Sequence, residues 1–203
     1  MGTVVAQASM SLDGYIAKAD NSIGELFEWY QAGDVEFTTA TSGITFHLTS
    51  ASAAYWREWT ADLGAIVCGR ALFDFTDGWG GRHTMGAPVV VVTHSVPTEW
   101  VDNHPVAPFE FMTDGVAAAL TRAQEIAGPR TVAVTAGTIA AQCLRLGLLD
   151  VVAIDLVPVV MGGGRPFFPG LPAEDVPLDD PEVCVPSARV THLRMPVPRR
   201  DPS

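Results

Sequence analysis

Two hydrophobic rhythms alternate along the chain. Short, nearly continuous apolar runs occupy residues 3–9, 65–68, 88–93, 109–112, 131–135 and 151–160, and the run at 88–93 is almost all valine. Runs of this kind read as strands, and an unbroken valine run reads as one covered on both faces. Between them the spacing becomes helical. Val116, Ala119, Leu120, Ala123, Ile126 and Ala127 share one face, with Asp114 as N-cap and Gly128-Pro129 as the stop. Tyr55 and Trp59 lie four apart, predicting a helix through about Thr60 capped by Ser50 or Ser52. Residues 138–146 read as a helix closed by Gly147. A shorter helical piece follows Gly69-Arg70 and ends near Gly78.

Turn signals divide the rest. Asp13-Gly14 marks a turn, beyond which Tyr15-Ile16-Ala17 continues. Residues 21–49 form a long polar and aromatic excursion with a short helix around 25–31, and excursions of that length are often functional. Pro158 puts the end of the 151–160 strand at an edge or bulge. Residues 182–185 and 189–197 predict a terminal hairpin, and 198–203 a tail. Strands alternating with helices predict an α/β protein, its sheet largely parallel and finished by an antiparallel ribbon. Residues 1–197 are expected to form a single domain.

Composition narrows the class. With 203 residues, 48% hydrophobic and 17% charged, the chain can bury one sizeable core. No apolar run reaches the roughly 18 to 20 residues of a membrane span, and the first residues lack a basic leader ahead of an apolar stretch. A cytoplasmic protein without membrane contact is expected. The formal charge of −11 argues against nucleic acid as a partner, yet leaves room for a small anionic ligand held by local donors. Cys68, Cys143 and Cys184 are widely spaced in apolar contexts, so reduced, buried thiols are expected, with no disulfide framework and no metal site.

The chemistry concentrates at strand-to-helix junctions. Gly69-Arg70-Ala71-Leu72 places first-turn amides beside a permanently charged, forked donor, which suits a phosphate. At Ala136-Gly137-Thr138-Ile139-Ala140 the glycine lets a ligand approach the backbone and Thr138 offers a hydroxyl. Thr93-His94-Ser95, directly after the valine run, suits a ribose phosphate. Glycines that merely relieve tight turns, and polar residues leaving a strand for solvent, are the competing readings. Neither glycine junction carries G-x-G-x-x-G, which disfavours a conventional Rossmann domain, and Gly162-Gly163-Gly164 reads as a turn beside a pocket or simply as a loop.

Three blocks carry a resemblance: Ser11-Leu12-Asp13-Gly14-Tyr15-Ile16-Ala17, Gly69-Arg70-Ala71-Leu72-Phe73-Asp74, and the stretch from Ala136-Gly137 through Gly147-Leu148-Leu149-Asp150 to Met161-Gly162-Gly163-Gly164. Their order resembles the dihydrofolate-reductase-like family typified by the C-terminal reductase domain of riboflavin-biosynthesis deaminase-reductases. That resemblance implies a three-layer sandwich around a mostly parallel sheet of about eight strands with a C-terminal antiparallel hairpin. It also implies NADPH across the sheet's carboxyl edge and hydride delivery to a bound heterocycle. Carried over, Gly69, Arg70, Ala71 and Leu72 match the segment at the cofactor phosphates, and Arg70 would favour a 2′-phosphate. Thr93, His94 and Ser95 match the segment near the adenosine ribose. Ala136, Gly137, Thr138, Ile139 and Ala140 match the pyrophosphate loop, and Ala8 and Ile16 flank the nicotinamide.

The departures matter too. Ala136-Gly137 stands where the family usually has Gly-Gly, and an unusual backbone conformation there would cost more with a Cβ present. Neither H-x-E nor P-C-x-x-C, the marks of a deaminase domain, occurs anywhere. Gly78-Trp79-Gly80-Gly81-Arg82-His83 replaces the Asp-Asn-Pro stretch of pyrimidine reductases. Ala53 sits where dihydrofolate reductases hold the pterin with a carboxylate.

These readings predict an NADPH-dependent reductase acting on a small heterocyclic or imine-like compound. A non-catalytic nucleotide-binding protein on the same scaffold, or a flavin- or deazaflavin-dependent oxidoreductase, is the alternative. Asp13 is the expected catalytic contact or proton relay, with a turn cap as its competing role. Trp79, Arg82 and His83 are expected to contact substrate, and Trp29, Tyr30, Trp56 and Trp79 to wall a pocket for a planar ring. The resemblance adds a homodimer, for which the 151–160 strand and the terminal hairpin offer surfaces.

Overall fold

The computed structural model describes residues 2–40, 43–171 and 175–198. In chain order the early elements are β1 (Val4–Ser11), β2 (Tyr15–Ala17), a 3-10 helix (Gly24–Gln31), β3 (Val35–Thr38), β4 (Thr45–Leu48) and α1 (Ser50–Ala61). Then come β5 (Leu63–Gly69), α2 (Arg70–Phe75), a 3-10 turn (Asp77–Gly81), β6 (Val89–Val92), α3 (Thr98–Asn103), β7 (Phe109–Met112) and α4 (Gly115–Ala127). The chain continues through β8 (Thr131–Thr135), α5 (Thr138–Arg145), β9 (Val151–Val157), β10 (Arg165–Pro166), β11 (Val183–Ser187) and β12 (Val190–Pro196). Beyond Pro198, the expected tail lies outside the described residues.

The main sheet has eight strands in the order β11-β12-β9-β1-β8-β5-β6-β7. Six of them, from β9 to β7, run parallel, while β12 pairs antiparallel with β9 and β11 antiparallel with β12. Alternation along each strand feeds two cores. Val4 and Ala6 of β1, with Val67, Val90, Val134 and Val152 of its neighbours, pack under Val116, Leu120 and Ala123 of α4 and Ile139 and Cys143 of α5. Val5, Ile66, Cys68, Val89, Val91 and Ala153 face the other way, against Trp59 of α1 and Phe73 of α2. Helices on both faces of the sheet make the expected three-layer α/β sandwich.

Several local details differ from the sequence expectation. Thr49 caps α1, its hydroxyl accepting from the Ser52 amide at 3.1 Å, so neither Ser50 nor Ser52 fills that place. Asp114 fills the N-cap position of α4 as expected, but its side chain makes no capping bond. The excursion contains the hairpin β3–β4, which is not among the expected elements. Strand β9 ends at Val157, ahead of Pro158, and it lies inside the sheet between β1 and β12. It therefore has no free edge, and of the two surfaces expected only the β11–β12 hairpin stands at one. Among the described residues no helix is long and apolar enough to cross a membrane.

Candidate functional site

A parallel sheet delivers the carboxyl ends of its strands to one edge, where the following loops diverge and leave room for a ligand. Here β1, β8, β5 and β6 are adjacent, and each leads into one of the expected cofactor segments. Contacts join those segments in a line. Arg70 Nη1 donates to the Ser95 carbonyl at 2.8 Å and reaches the Thr93 hydroxyl at 3.4 Å. Gly69 lies against α5: a Cβ placed on it would stand 3.2 Å from Ile139 Cγ1. A Cβ on Gly137 would stand 3.8 Å from Ile16 Cδ1. The Phe167 peptide completes the line, its N–H donating to the Gly14 carbonyl at 3.0 Å and its carbonyl accepting from Gly137 N–H at 2.8 Å.

The two glycines serve different ends. Gly69 is ordinary extended backbone, φ −86° and ψ 157°, and its value is the room it leaves for Ile139. Gly137 stands at φ 96° and ψ −146°, a region that a side chain resists. Ala136 is absent from the residues of positive φ, so its Cβ meets no such strain. The expected cost of replacing Gly-Gly by Ala-Gly does not arise. Thr138, Ala71, His94 and Ser95 are exposed at this edge, Leu72 is half-buried, and Thr93, Ile139 and Ala140 are buried. Ala8 is half-buried and packs with Met10 and Ile16 on the α4–α5 side.

Of the two roles expected for Asp13, its hydrogen bonds match the turn cap. Its carboxylate accepts from Met161 N–H at 3.0 Å, Gly162 N–H at 2.7 Å and the Ser11 hydroxyl at 2.7 Å. The Met161 amide and the Ser11 hydroxyl, the strongest of these donors, bring its pKa down to about 2. Hydrogen bonds to the ionised form favour it, and the same bonds anchor the loop after β9 to the Asp13-Gly14 turn.

The expected substrate contacts lie elsewhere. Trp79 stacks with Phe109, the first residue of β7, at 6.4 Å between centroids, and meets His83 at 4.6 Å. A Cβ on Gly81 would stand 3.0 Å from His104, just ahead of β7. The loop bearing Trp79, Arg82 and His83 thus sits toward the amino ends of β6 and β7, because α2 starts at the carboxyl edge and carries the chain back. Burial of His83 pushes its pKa down to about 4, so the ring is neutral at pH 7. Trp29 and Trp56 do not wall an open pocket either. They are 1% and 4% exposed and pack with Tyr30, Phe37 and Phe46 as core.

Beneath α1 the structure assembles a polar chain that no sequence spacing announced. Ser52 Oγ and His192 Nε2 are 2.9 Å apart, His192 Nδ1 and Asp155 Oδ1 2.6 Å, and Gln7 donates to the other Asp155 oxygen at 2.9 Å. The distances are those of a hydrolytic triad, but Ser52 and Asp155 are 1% exposed and His192 0%. A nucleophile needs a path to its substrate, and this serine has none. The array joins α1, β1, β9 and β12. Burial pushes Asp155 upward, offset by His192 and then Gln7. Among the described residues no three His, Cys, Asp or Glu side chains are placed to hold a metal ion.

Residues 2–191 match the family model described as the RibD C-terminal domain. Solved structures share the fold at low identity. A protein assigned to riboflavin biosynthesis from Shewanella sp. PV-4 is 19% identical with a TM-score of 0.71, over 98% of this chain and 100% of that one. A diaminohydroxyphosphoribosylaminopyrimidine deaminase/5-amino-6-(5-phosphoribosylamino)uracil reductase from Thermotoga maritima is 15% identical with a TM-score of 0.62, over 97% of this chain and 57% of that longer one. A dihydrofolate reductase from Enterococcus faecalis, complexed with NADP(H), is 17% identical with a TM-score of 0.55, over 98% and 97% of the two chains. No curated protein gives a significant sequence match. With its β-strand order, its hairpin-finished sheet and a family match over almost its whole length, the chain belongs to the RibD C-terminal domain family.

Proposed function

We propose that the protein is a reductase that uses a reduced nicotinamide dinucleotide, NADPH above all, to reduce a small heterocyclic or imine-like compound. The observation that carries this reading is the gathering of the expected cofactor segments at the carboxyl edge, where Arg70 bonds to Ser95 and Thr93, Gly69 leaves room for Ile139, and Gly137 lies beside Ile16. A dinucleotide is a long ligand with a charged centre, and it needs polar donors and close backbone approach in that order along one groove.

The residues fit such a ligand. Arg70, with Thr93 and Ser95 beside it, would face the phosphorylated adenosine ribose, where a forked, permanently charged donor is most useful. Gly137, Thr138, Ile139 and Ala140 would lie under the pyrophosphate, where Gly137, suited to its positive φ, has no side chain to stand between backbone and ligand. Ala8 and Ile16 would flank the nicotinamide with small and apolar surface that keeps water away. When bound, the reduced nicotinamide supplies the hydride. Asp13 keeps the strap after β9 in place through two backbone amides. The chain's part in catalysis is to position, as expected where the redox chemistry is the cofactor's own.

Titrating the purified protein into NADPH, with nicotinamide fluorescence and thermal melting as readouts, tests this. Enhanced fluorescence and a raised Tm are expected. A protein that melts identically with NADPH, NADH or neither would dispose of the reading, and a yellow preparation would redirect it to a flavin or deazaflavin.

A further inference from the structure

The guanidinium of Arg70 does not stand alone at the adenosine end of the groove. Asp74, one helical turn on, receives Arg70 Nε at 2.6 Å, and the two side chains are 33% and 53% exposed. On the other side Nη1 is held by the Ser95 carbonyl and the Thr93 hydroxyl. That hydroxyl also donates to the Ser95 carbonyl at 2.8 Å and accepts from Ser95 N–H at 3.3 Å, so the receiving loop is internally fixed. Arg70 is therefore pinned from two directions. Among the described residues none accepts a hydrogen bond from Arg70 Nη2.

We propose that Asp74 is a specificity-determining residue, tempering the preference that Arg70 alone would give for a 2′-phosphorylated cofactor. This rests on the dinucleotide reading above. A 2′-phosphate only accepts hydrogen bonds and carries close to two negative charges at pH 7, so it gains from Arg70 and is opposed by the Asp74 carboxylate. A 2′-hydroxyl both donates and accepts. It can give its proton to Asp74 while receiving from Arg70, which is the way an acidic residue selects a ribose over its phosphate in other dinucleotide sites. Asp74 also occupies the Nε side of the fork, so a phosphate seeking the Nε–Nη2 edge must displace it. Arginine and aspartate at one subsite make a site that tolerates both cofactors.

Dissociation constants for NADPH and NADH, read by nicotinamide fluorescence with wild type and Asp74→Asn, decide the matter. Asparagine keeps an oxygen for Arg70 Nε and removes the charge. The ratio of NADPH to NADH affinity is expected to rise about tenfold, with NADH itself weakened a few fold, and the gain is expected to shrink in high salt. A ratio that stays put or falls while both dinucleotides still bind would overturn the selector and leave the cofactor reading intact. Wild type that binds neither dinucleotide would overturn both. A melting curve of the variant matching wild type confirms that this exposed side chain was not holding the fold.

Discussion

At the carboxyl edge, Arg70, Asp74, Thr93 and Ser95 meet within hydrogen-bond distance and remain open to solvent, Thr93 excepted. Beneath α1, Asp155, His192, Ser52 and Gln7 meet at similar distances, but the first three have almost no exposed surface. Side-chain chemistry alone would rank the second group as the more reactive, since serine, histidine and aspartate in that order suggest a nucleophile. Access reverses the ranking. A buried polar chain that is fully paired fastens elements together, whereas the same bonding at an open strand end can be exchanged for a ligand.

The largest expected effect lies in the buried array. His192→Ala leaves the Asp155 carboxylate without its ring partner in a dry interior, and a loss of about 3–5 kcal/mol in urea unfolding is expected. A loss under about 1 kcal/mol would mean that the array holds nothing together. The loop with His83 comes next. Its folded pKa of about 4 lies below the usual 6.5, so the unfolded chain takes up a proton that the folded ring refuses as pH falls between those values. Stability from this source is complete above pH 6.5 and is lost toward pH 4, by up to about 3 kcal/mol. His83→Gln should flatten that part of the stability–pH curve, and parallel curves for the two proteins would refute the assignment. The smallest effect on folding is expected at the open edge. Arg70→Ala should change stability by no more than about 0.5 kcal/mol, as exposed positions do, while weakening NADPH at least tenfold. If that variant lost as much stability as His192→Ala, the edge would be structural and the contrast would fail.

Much of this was legible in the sequence where the information is local. Residues 109–112 and 131–135 are strands as the apolar runs predict, α4 stops at Gly128, and α5 begins at Thr138. The segments expected to hold the cofactor converge because a parallel sheet sends every strand's carboxyl end the same way, a rule of topology that needs no knowledge of side-chain contacts. What failed was direction and distance. Nothing in Gly78-Trp79-Gly80-Gly81-Arg82-His83 says that α2 returns the chain to the amino ends of β6 and β7 before that loop begins. Trp29 and Trp56 have the composition of a ring-binding wall, and only packing shows that they fill the space themselves. Asp155 and His192 are separated by 37 residues and carry no periodic signal. Asp74 was within reach, since its i, i+4 spacing from Arg70 is a helix-face pair. The helix Thr98–Asn103 is too short, and too exposed, to show an apolar period.

The Phe167 peptide ties Gly14 on one side and Gly137 on the other through main-chain atoms alone. Such a brace is indifferent to which side chains decorate it. Side-chain changes at the neighbouring Arg165, Pro166 and Phe168 therefore leave this tie between the β1–β2 turn and the start of α5 intact.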